Sequence, residues 1–329
     1  MYTVLEQALH SVRQVPLACL PTPLERMARL EQALGYSDAI YIKRDDLTGL
    51  GPGGNKLRSL EFLLGEALSQ EADIIVAAGP VQSNLCTLTA AACARLGLRC
   101  ILVHNGEKPA HREGNVLLNH LLGAESKYLG NISSQERTDY VCALMRSLSL
   151  AHHPYFIRNG ATSGCGLLGY IKAIPELCRQ TESLGISGLT IFVPGGNGGM
   201  ASGLIYGNVL CRSPFHIVVV SVENDRDTLA AAIRRTIAEA EALLGLPLPC
   251  ELDNACTITD QYRGSGWGIN TDQSSRLITE FAQAEGILIE NVYNSKVLVG
   301  MYDYLRSHRV NGPVCYLHTG GFGSLFSQY

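Results

Sequence analysis

Thr190-Ile191-Phe192-Val193-Pro194-Gly195-Gly196-Asn197-Gly198-Gly199-Met200 is the stretch on which the reading of this chain turns. A short apolar run passes into a glycine-rich turn, and a helix-forming segment opens at Met200. Such a run suits a strand buried on both faces, and strand, turn and helix in that order form the repeating unit of a parallel α/β sheet. The N–H groups of a glycine turn backed by a helix N-terminus make an anion site suited to a phosphate. Gly196, Gly198 and Ala201 also fit the loose dinucleotide fingerprint, with Glu223 near the end of the next strand as a ribose ligand. A nicotinamide or flavin site and a plain tight turn are therefore both open at this point.

The pattern recurs on either side. Upstream, strands are predicted at 40–43, 74–78, 100–103, 126–129 and 155–157, and helices start near Lys56, Asn84 and Gly114. Pro21-Thr22-Pro23-Leu24 reads as an extended lead-in, with helical spacing of Leu24, Met27, Leu30 and Leu34 after it. Downstream, strands are predicted at 217–221 and 314–317, and helices at 167–182, 200–210, 227–244, 272–284 and 295–307. Strands that alternate with helices at this spacing pair in parallel through right-handed crossovers. The expected fold is α/β, with two domains, each an open, mostly parallel twisted sheet flanked by helices.

Bulk properties narrow the function. A chain of 329 residues is longer than most single cores grow, which supports two domains. With 46% hydrophobic and 17% charged residues it is globular. A net charge of −4 and no basic stripe argue against a nucleic-acid partner. No apolar run is long enough to cross a bilayer and residues 1–24 lack a signal-peptide pattern, so a cytoplasmic protein is expected. The eleven cysteines lack paired metal spacing and read as free, mostly buried thiols. The histidines, including His152-His153, also lack ligand spacing, and no metal is expected.

Ligands of open parallel sheets sit beyond the carboxyl ends of the strands. Besides residues 195–199, the loops at 79–84 and 160–166 occupy such positions, and so does Gly51-Pro52-Gly53-Gly54-Asn55-Lys56-Leu57-Arg58. The last sets a lysine behind a run of glycines at a helix start. Its amine becomes a useful nucleophile when the site lowers its pKa, whereas a solvated first-turn lysine is the ordinary alternative. Ser83 and Asn84 can cap the helix that follows them, Thr162 and Ser163 can be turn residues, Tyr293 a core tyrosine and Thr319 a strand-end hydroxyl.

A lysine loop, a Gln-Ser-Asn loop and a glycine loop occur in that order along the chain. With Pro21-Thr22-Pro23-Leu24, Ile42-Lys43-Arg44-Asp45-Asp46-Leu47, Val292-Tyr293 and His318-Thr319-Gly320-Gly321, they make the sequence resemble the pyridoxal-phosphate enzymes of fold type II, the tryptophan synthase beta-like fold. Within these it resembles the group of D-cysteine desulfhydrase, 1-aminocyclopropane-1-carboxylate deaminase and L-cysteate sulfo-lyase. The resemblance covers residues 21–321 and demotes the dinucleotide reading. It implies a large cofactor-binding domain of residues 1–48 plus 160–329, a small domain of 49–159, an active site in the cleft between them, and a homodimer. It implies pyridoxal 5′-phosphate held covalently by Lys56, which then carries protons. Asn84 would bond the ring hydroxyl oxygen, Gly196, Asn197, Gly198, Gly199 and Met200 would wrap the phosphate, and Thr319 would bond the ring nitrogen. Ser83 would touch the substrate carboxylate or assist proton transfer, and Tyr293 would face the substrate, with Asn84 and Thr162 lining its site.

Three positions depart from that group, all where substrate is read. Leu85 and Cys86 follow Gln82-Ser83-Asn84 where relatives carry histidine or glutamine. Trp267-Gly268 replaces a tyrosine before glycine, and Asn294 follows Val292-Tyr293 where the deaminase has glutamate. Leu85 dries the pocket, and Trp267, the one tryptophan, encloses an apolar or larger group or stacks near the cofactor. A neutral hydroxyl at Thr319 favours prompt expulsion of a beta leaving group. The expected activity is α,β-elimination on a small amino acid, D-cysteine-like or sulfonate-bearing, giving a 2-oxo acid and ammonia. The alternatives are a deaminase, racemase or beta-replacement enzyme with a specialised substrate, and a cofactor-binding protein with little catalysis.

Overall fold

The computed structural model of the chain describes residues 2–307 and 309–327. Ten strands are present among them: β1 (Leu24–Arg26), β2 (Ile40–Arg44), β3 (Ile74–Pro80), β4 (Arg99–Asn105), β5 (Glu125–Tyr128), β6 (Pro154–Ile157), β7 (Thr190–Gly195), β8 (His216–Ser221), β9 (Thr257–Thr259) and β10 (Val314–His318). They form a six-stranded sheet in the order β1-β2-β10-β7-β8-β9 and a four-stranded sheet in the order β5-β4-β3-β6. All pairings are parallel except that of β1 with β2. This is the α/β fold of two mostly parallel sheets that the alternating pattern predicts.

The apolar runs are explained by helices on both sheet faces. Every residue of β7 and of β10 is buried, and a strand covered on both sides has no polar alternation to show. The helix Leu168–Ser183 lies along the helices Lys56–Ser69 and Gly199–Leu210. Gly203 lies so close to it that an added Cβ would stand 2.5 Å from the Leu167 carbonyl oxygen.

At the N-terminus the structure corrects the helical reading of Leu24. Residues 24–26 are the antiparallel edge strand β1, and the helix starts only at Ala28. The spacing of Leu24 mimics a helical face, but its backbone pairs with Lys43 of β2.

Buried charge anchors the lysine stretch. Arg58, 1% exposed, donates to Asp45 at 2.8 Å and to Glu176 at 2.8 and 3.0 Å, and Lys43 donates to Glu176 at 2.5 Å. Thr22 Oγ1 and the Tyr170 phenol add hydrogen bonds to Asp45 at 2.7 and 2.6 Å. Burial alone would raise both carboxyls. The Arg58 guanidinium reverses this, and Asp45 and Glu176 end below their ordinary range. The lead-in segment, β2, the Lys56 helix and the Leu168–Ser183 helix are thereby tied at one point.

Candidate active site

One cavity is lined by Asn55, Lys56, Ser83, Asn84, Leu85, Thr162, Gly196, Asn197, Gly198, Gly199, Met200, Trp267, Tyr293 and Thr319. It lies between the two sheets at the carboxyl ends of β3, β7 and β10. The loops after these strands come together only in the folded chain.

Lys56 is the first residue of its helix, and a close backbone approach fixes its position. Asn55 N–H donates to the Thr319 carbonyl at 3.0 Å, and Gly54 bridges Gly320 at the end of β10. A Cβ on Gly320 would stand 2.7 Å from Gly54 Cα, so only glycine permits the contact. Lys56 Nζ donates to the Gly160 carbonyl at 2.8 Å, and burial lowers its pKa from 10.5 to about 8. A lowered amine with no carboxylate partner among the described residues is the activated form expected of a nucleophilic lysine.

Residues 196–200 lead from β7 into the helix Gly199–Leu210. Gly198, the residue before it, has φ of 87°, which glycine adopts without strain. First-turn N–H groups lack intrahelical acceptors and face this cavity end. The Thr162 hydroxyl oxygen is buried without a partner, and an added Cβ on Gly199 would stand 2.8 Å from it. Thr162 thus lies against the glycine loop.

Ser83 caps the helix Asn84–Leu96, its Oγ accepting from Cys86 N–H at 3.3 Å. The capping role and a place in the cavity coexist, because accepting that bond leaves the Ser83 hydroxyl hydrogen to donate elsewhere. Asn84 lines the cavity, and its Oδ1 accepts from Asn115 Nδ2 at 2.8 Å, which fixes the amide with its nitrogen as the remaining donor. Asn115 is itself set by Gln82, through bonds of 2.8 and 2.9 Å. Leu85 is a buried apolar wall, and burial raises the Cys86 thiol to about 12, so it stays protonated.

The other wall is organised by Tyr293 and Asn294. Trp267 Nε1 donates to the Tyr293 hydroxyl at 2.9 Å, so this indole is a hydrogen-bond donor as well as an apolar surface. Burial pushes the phenol up, and the indole bond works in the opposite direction. Asn294 Nδ2 donates to Glu290 at 2.8 Å and to the Gly320 carbonyl at 2.7 Å. Its Oδ1 accepts from the Tyr316 hydroxyl at 2.5 Å, from Thr319 N–H at 3.1 Å and from the Thr319 hydroxyl at 3.2 Å. Asn294 is therefore a buried support behind Thr319 and does not line the cavity.

Several cavity residues escaped sequence reasoning. Arg137, Asn105 and Ser134 line its small-sheet side, and Glu223, which the sequence offered only as the ribose ligand of a dinucleotide, lines it near Tyr293. Glu223 is half-buried and raised by burial, with Lys296 acting against the shift. Lys296 donates to the carbonyls of Val222, Arg263 and Gly266, holding the loop that carries Trp267. Only the Ser133 and Glu136 pair, a capping box at the start of the helix Ser134–Leu148, left a readable sign of this region.

These residues fit pyridoxal phosphate. An activated lysine, a glycine cradle beside an orphaned buried hydroxyl, a directed amide donor and a hydroxyl at the end of β10 match an aldehyde, a phosphate, a ring oxygen and a ring nitrogen. Comparison with known proteins agrees. The model of the family described as pyridoxal-phosphate dependent enzyme matches residues 15–320. The chain is 32% identical over 327 residues to a putative 1-aminocyclopropane-1-carboxylate deaminase of Pyrococcus abyssi, covering 99% of this chain and 97% of that one. It is 33% identical over 333 residues to the D-cysteine desulfhydrase of Salmonella newport, covering 98% of each. A crystal structure of an ACC deaminase homologue superposes with a TM-score of 0.91 at 31% identity, over 99% of this chain and 97% of that one. The chain belongs to the pyridoxal-phosphate dependent enzymes.

Proposed function

We propose that this enzyme carries out α,β-elimination on a small amino acid, D-cysteine-like or sulfonate-bearing, giving a 2-oxo acid and ammonia. It works as a cytoplasmic homodimer, with residues 1–48 and 160–329 as the cofactor domain and 49–159 as the small domain. The observation that carries the reading is the amine of Lys56, lowered to about 8 and facing the same cavity as Ser83, Tyr293 and Thr319.

Bound pyridoxal phosphate supplies an electron sink for the charge left when a bond to the amino acid's alpha carbon breaks. Lys56 Nζ is the base for the alpha proton, its lowered pKa leaving a useful neutral fraction near pH 7. Ser83 Oγ and the first-turn N–H groups of the Asn84–Leu96 helix receive the substrate carboxylate. The Tyr293 phenol, high in pKa and held by Trp267, donates its proton to the departing beta group. That group leaves with the electron pair of its bond to the beta carbon, and water completes hydrolysis to 2-oxo acid and ammonia. Thr319, whose hydroxyl donates to Asn294 Oδ1, would stand at the ring-nitrogen end of the bound cofactor.

The test is release of pyruvate, ammonia and sulfide from D- and L-cysteine by the purified holoenzyme. Equal amounts of the three, lost in Lys56→Ala, support elimination. A racemised amino acid without oxo acid refutes it.

A further inference from the structure

Arg137 is a buried cation without a counterion. It is 3% exposed, it forms no ion pair among the described residues, and its Nε has no hydrogen-bond partner. Its Nη1 donates to the neutral amide of Asn105. The neighbouring thiol of Cys86 is protonated, and Arg137 helps to keep the buried His104 ring neutral. An arginine so removed from water is expensive to fold unless something pairs with it. It lines the active-site cavity, in the first turn of a 15-residue helix whose first residue, Ser134, lines it as well.

The other anions of the reaction have places of their own. The cofactor phosphate belongs to residues 196–200 at the end of β7, in the six-stranded sheet. The substrate's alpha carboxylate belongs to Ser83 and the start of the Asn84–Leu96 helix. Arg137 stands on the four-stranded side, with Pro80 and Asn105 at the ends of β3 and β4. Glu223, the one carboxylate of the lining among the described residues, interacts with Lys296 and Tyr293 and forms no ion pair with Arg137. Arg137 lines the cavity with an unpaired Nε–H, and a planar guanidinium is suited to the oxygens of an acid group.

We infer that Arg137, with Asn105 and the start of its helix, binds a second acid group on the substrate's side chain. The substrate class is an amino acid with an anionic group on or next to its beta carbon: a sulfonate, a phosphate or a carboxylate. This rests on the proposed function and narrows its substrate. It also gives the cavity a cationic end to set against its apolar wall at Leu85.

The test is calorimetric binding of L- and D-cysteic acid, O-phosphoserine and aspartate to the holoenzyme, with cysteine and serine as neutral counterparts. In the wild type the acid-bearing member of a matched pair binds about 10- to 100-fold more tightly, the range of a charge-assisted bond. In Arg137→Gln that ratio collapses toward one, and Arg137→Lys restores part of it. Inorganic sulfate displaces cysteic acid from the wild type, which tests the site even if Arg137→Gln does not fold. Neutral ligands binding as tightly as acidic ones in the wild type, or a ratio unchanged in Arg137→Gln, overturns the inference. Equal weakening of acidic and neutral ligands assigns Arg137 to the alpha carboxylate and overturns it too. The visible band of the bound cofactor separates failures: a normal band with no acid preference defeats only this inference, whereas no band defeats the proposed function.

Discussion

The indole nitrogen of Trp267 donates a 2.9 Å hydrogen bond to the phenol oxygen of Tyr293, and the two rings meet edge to face with centroids 6.5 Å apart. The phenol oxygen therefore has one lone pair engaged, and its own hydrogen is directed elsewhere. Trp267 sits on a glycine-rich loop with Gly264, Gly266 and Gly268 all at positive φ, and Lys296 ties that loop, through the carbonyls of Arg263 and Gly266, to the Val222 carbonyl after β8. The donor reaches Tyr293 from 26 positions away, and its loop is held by Lys296, three residues beyond Tyr293.

Trp267→Phe keeps the apolar wall and removes the donor. Turnover is expected to fall about five- to tenfold, the equivalent of one neutral hydrogen bond of about 1 kcal/mol. Because Trp267 is the only tryptophan, its emission reports the contact directly, and Tyr293→Phe should shift it. Undiminished turnover in Trp267→Phe, with emission unmoved by Tyr293→Phe, would rule out the role.

Arg58 supports the lysine stretch through the buried cluster with Asp45 and Glu176. Arg58→Met strips the buried Asp45 of its ion-pair partner and leaves Glu176 with Lys43 alone, and it is expected to cost about 3–5 kcal/mol in denaturant unfolding. Both carboxyls have folded pKa values below their unfolded ones. Their contribution is thus complete above the ordinary carboxylate range, about pH 4, and is lost as pH falls through the folded values. Wild-type stability should fall on acidification more steeply than that of Arg58→Met. A cost under about 1 kcal/mol would show that the cluster does not hold the loop.

Much of this was legible because the relevant signals are local. β3 and β7 are uninterrupted apolar runs ending in glycine, and the helices after them start at Asn84 and Gly199, within a residue of where turn chemistry puts them. The first helix, Tyr2–His10, and β9, three residues long, carry too little pattern to read. The helix Ser134–Leu148 buries only Arg137 and Val141, so it lacks the broad apolar face by which helices are found. For the same reason nothing in the sequence marks Arg137: burial of an ionised group is decided by tertiary packing, which leaves no trace in spacing. Trp267 was legible as a change of residue, but its bond to Tyr293 spans 26 positions and depends on the fold.

The central claim is that Lys56 holds the cofactor with an amine made reactive by burial. It is tested most directly by following the visible absorbance band as pyridoxal phosphate is added back to the apoprotein, from about pH 6 to about pH 10. Because the folded pKa lies below 10.5, the neutral amine accumulates as pH rises through the lower value. The uptake rate should climb and then level off above about 8, and Lys56→Ala should give no band. A band of equal strength in Lys56→Ala, or a rate still climbing toward the ordinary lysine pKa, would contradict the account.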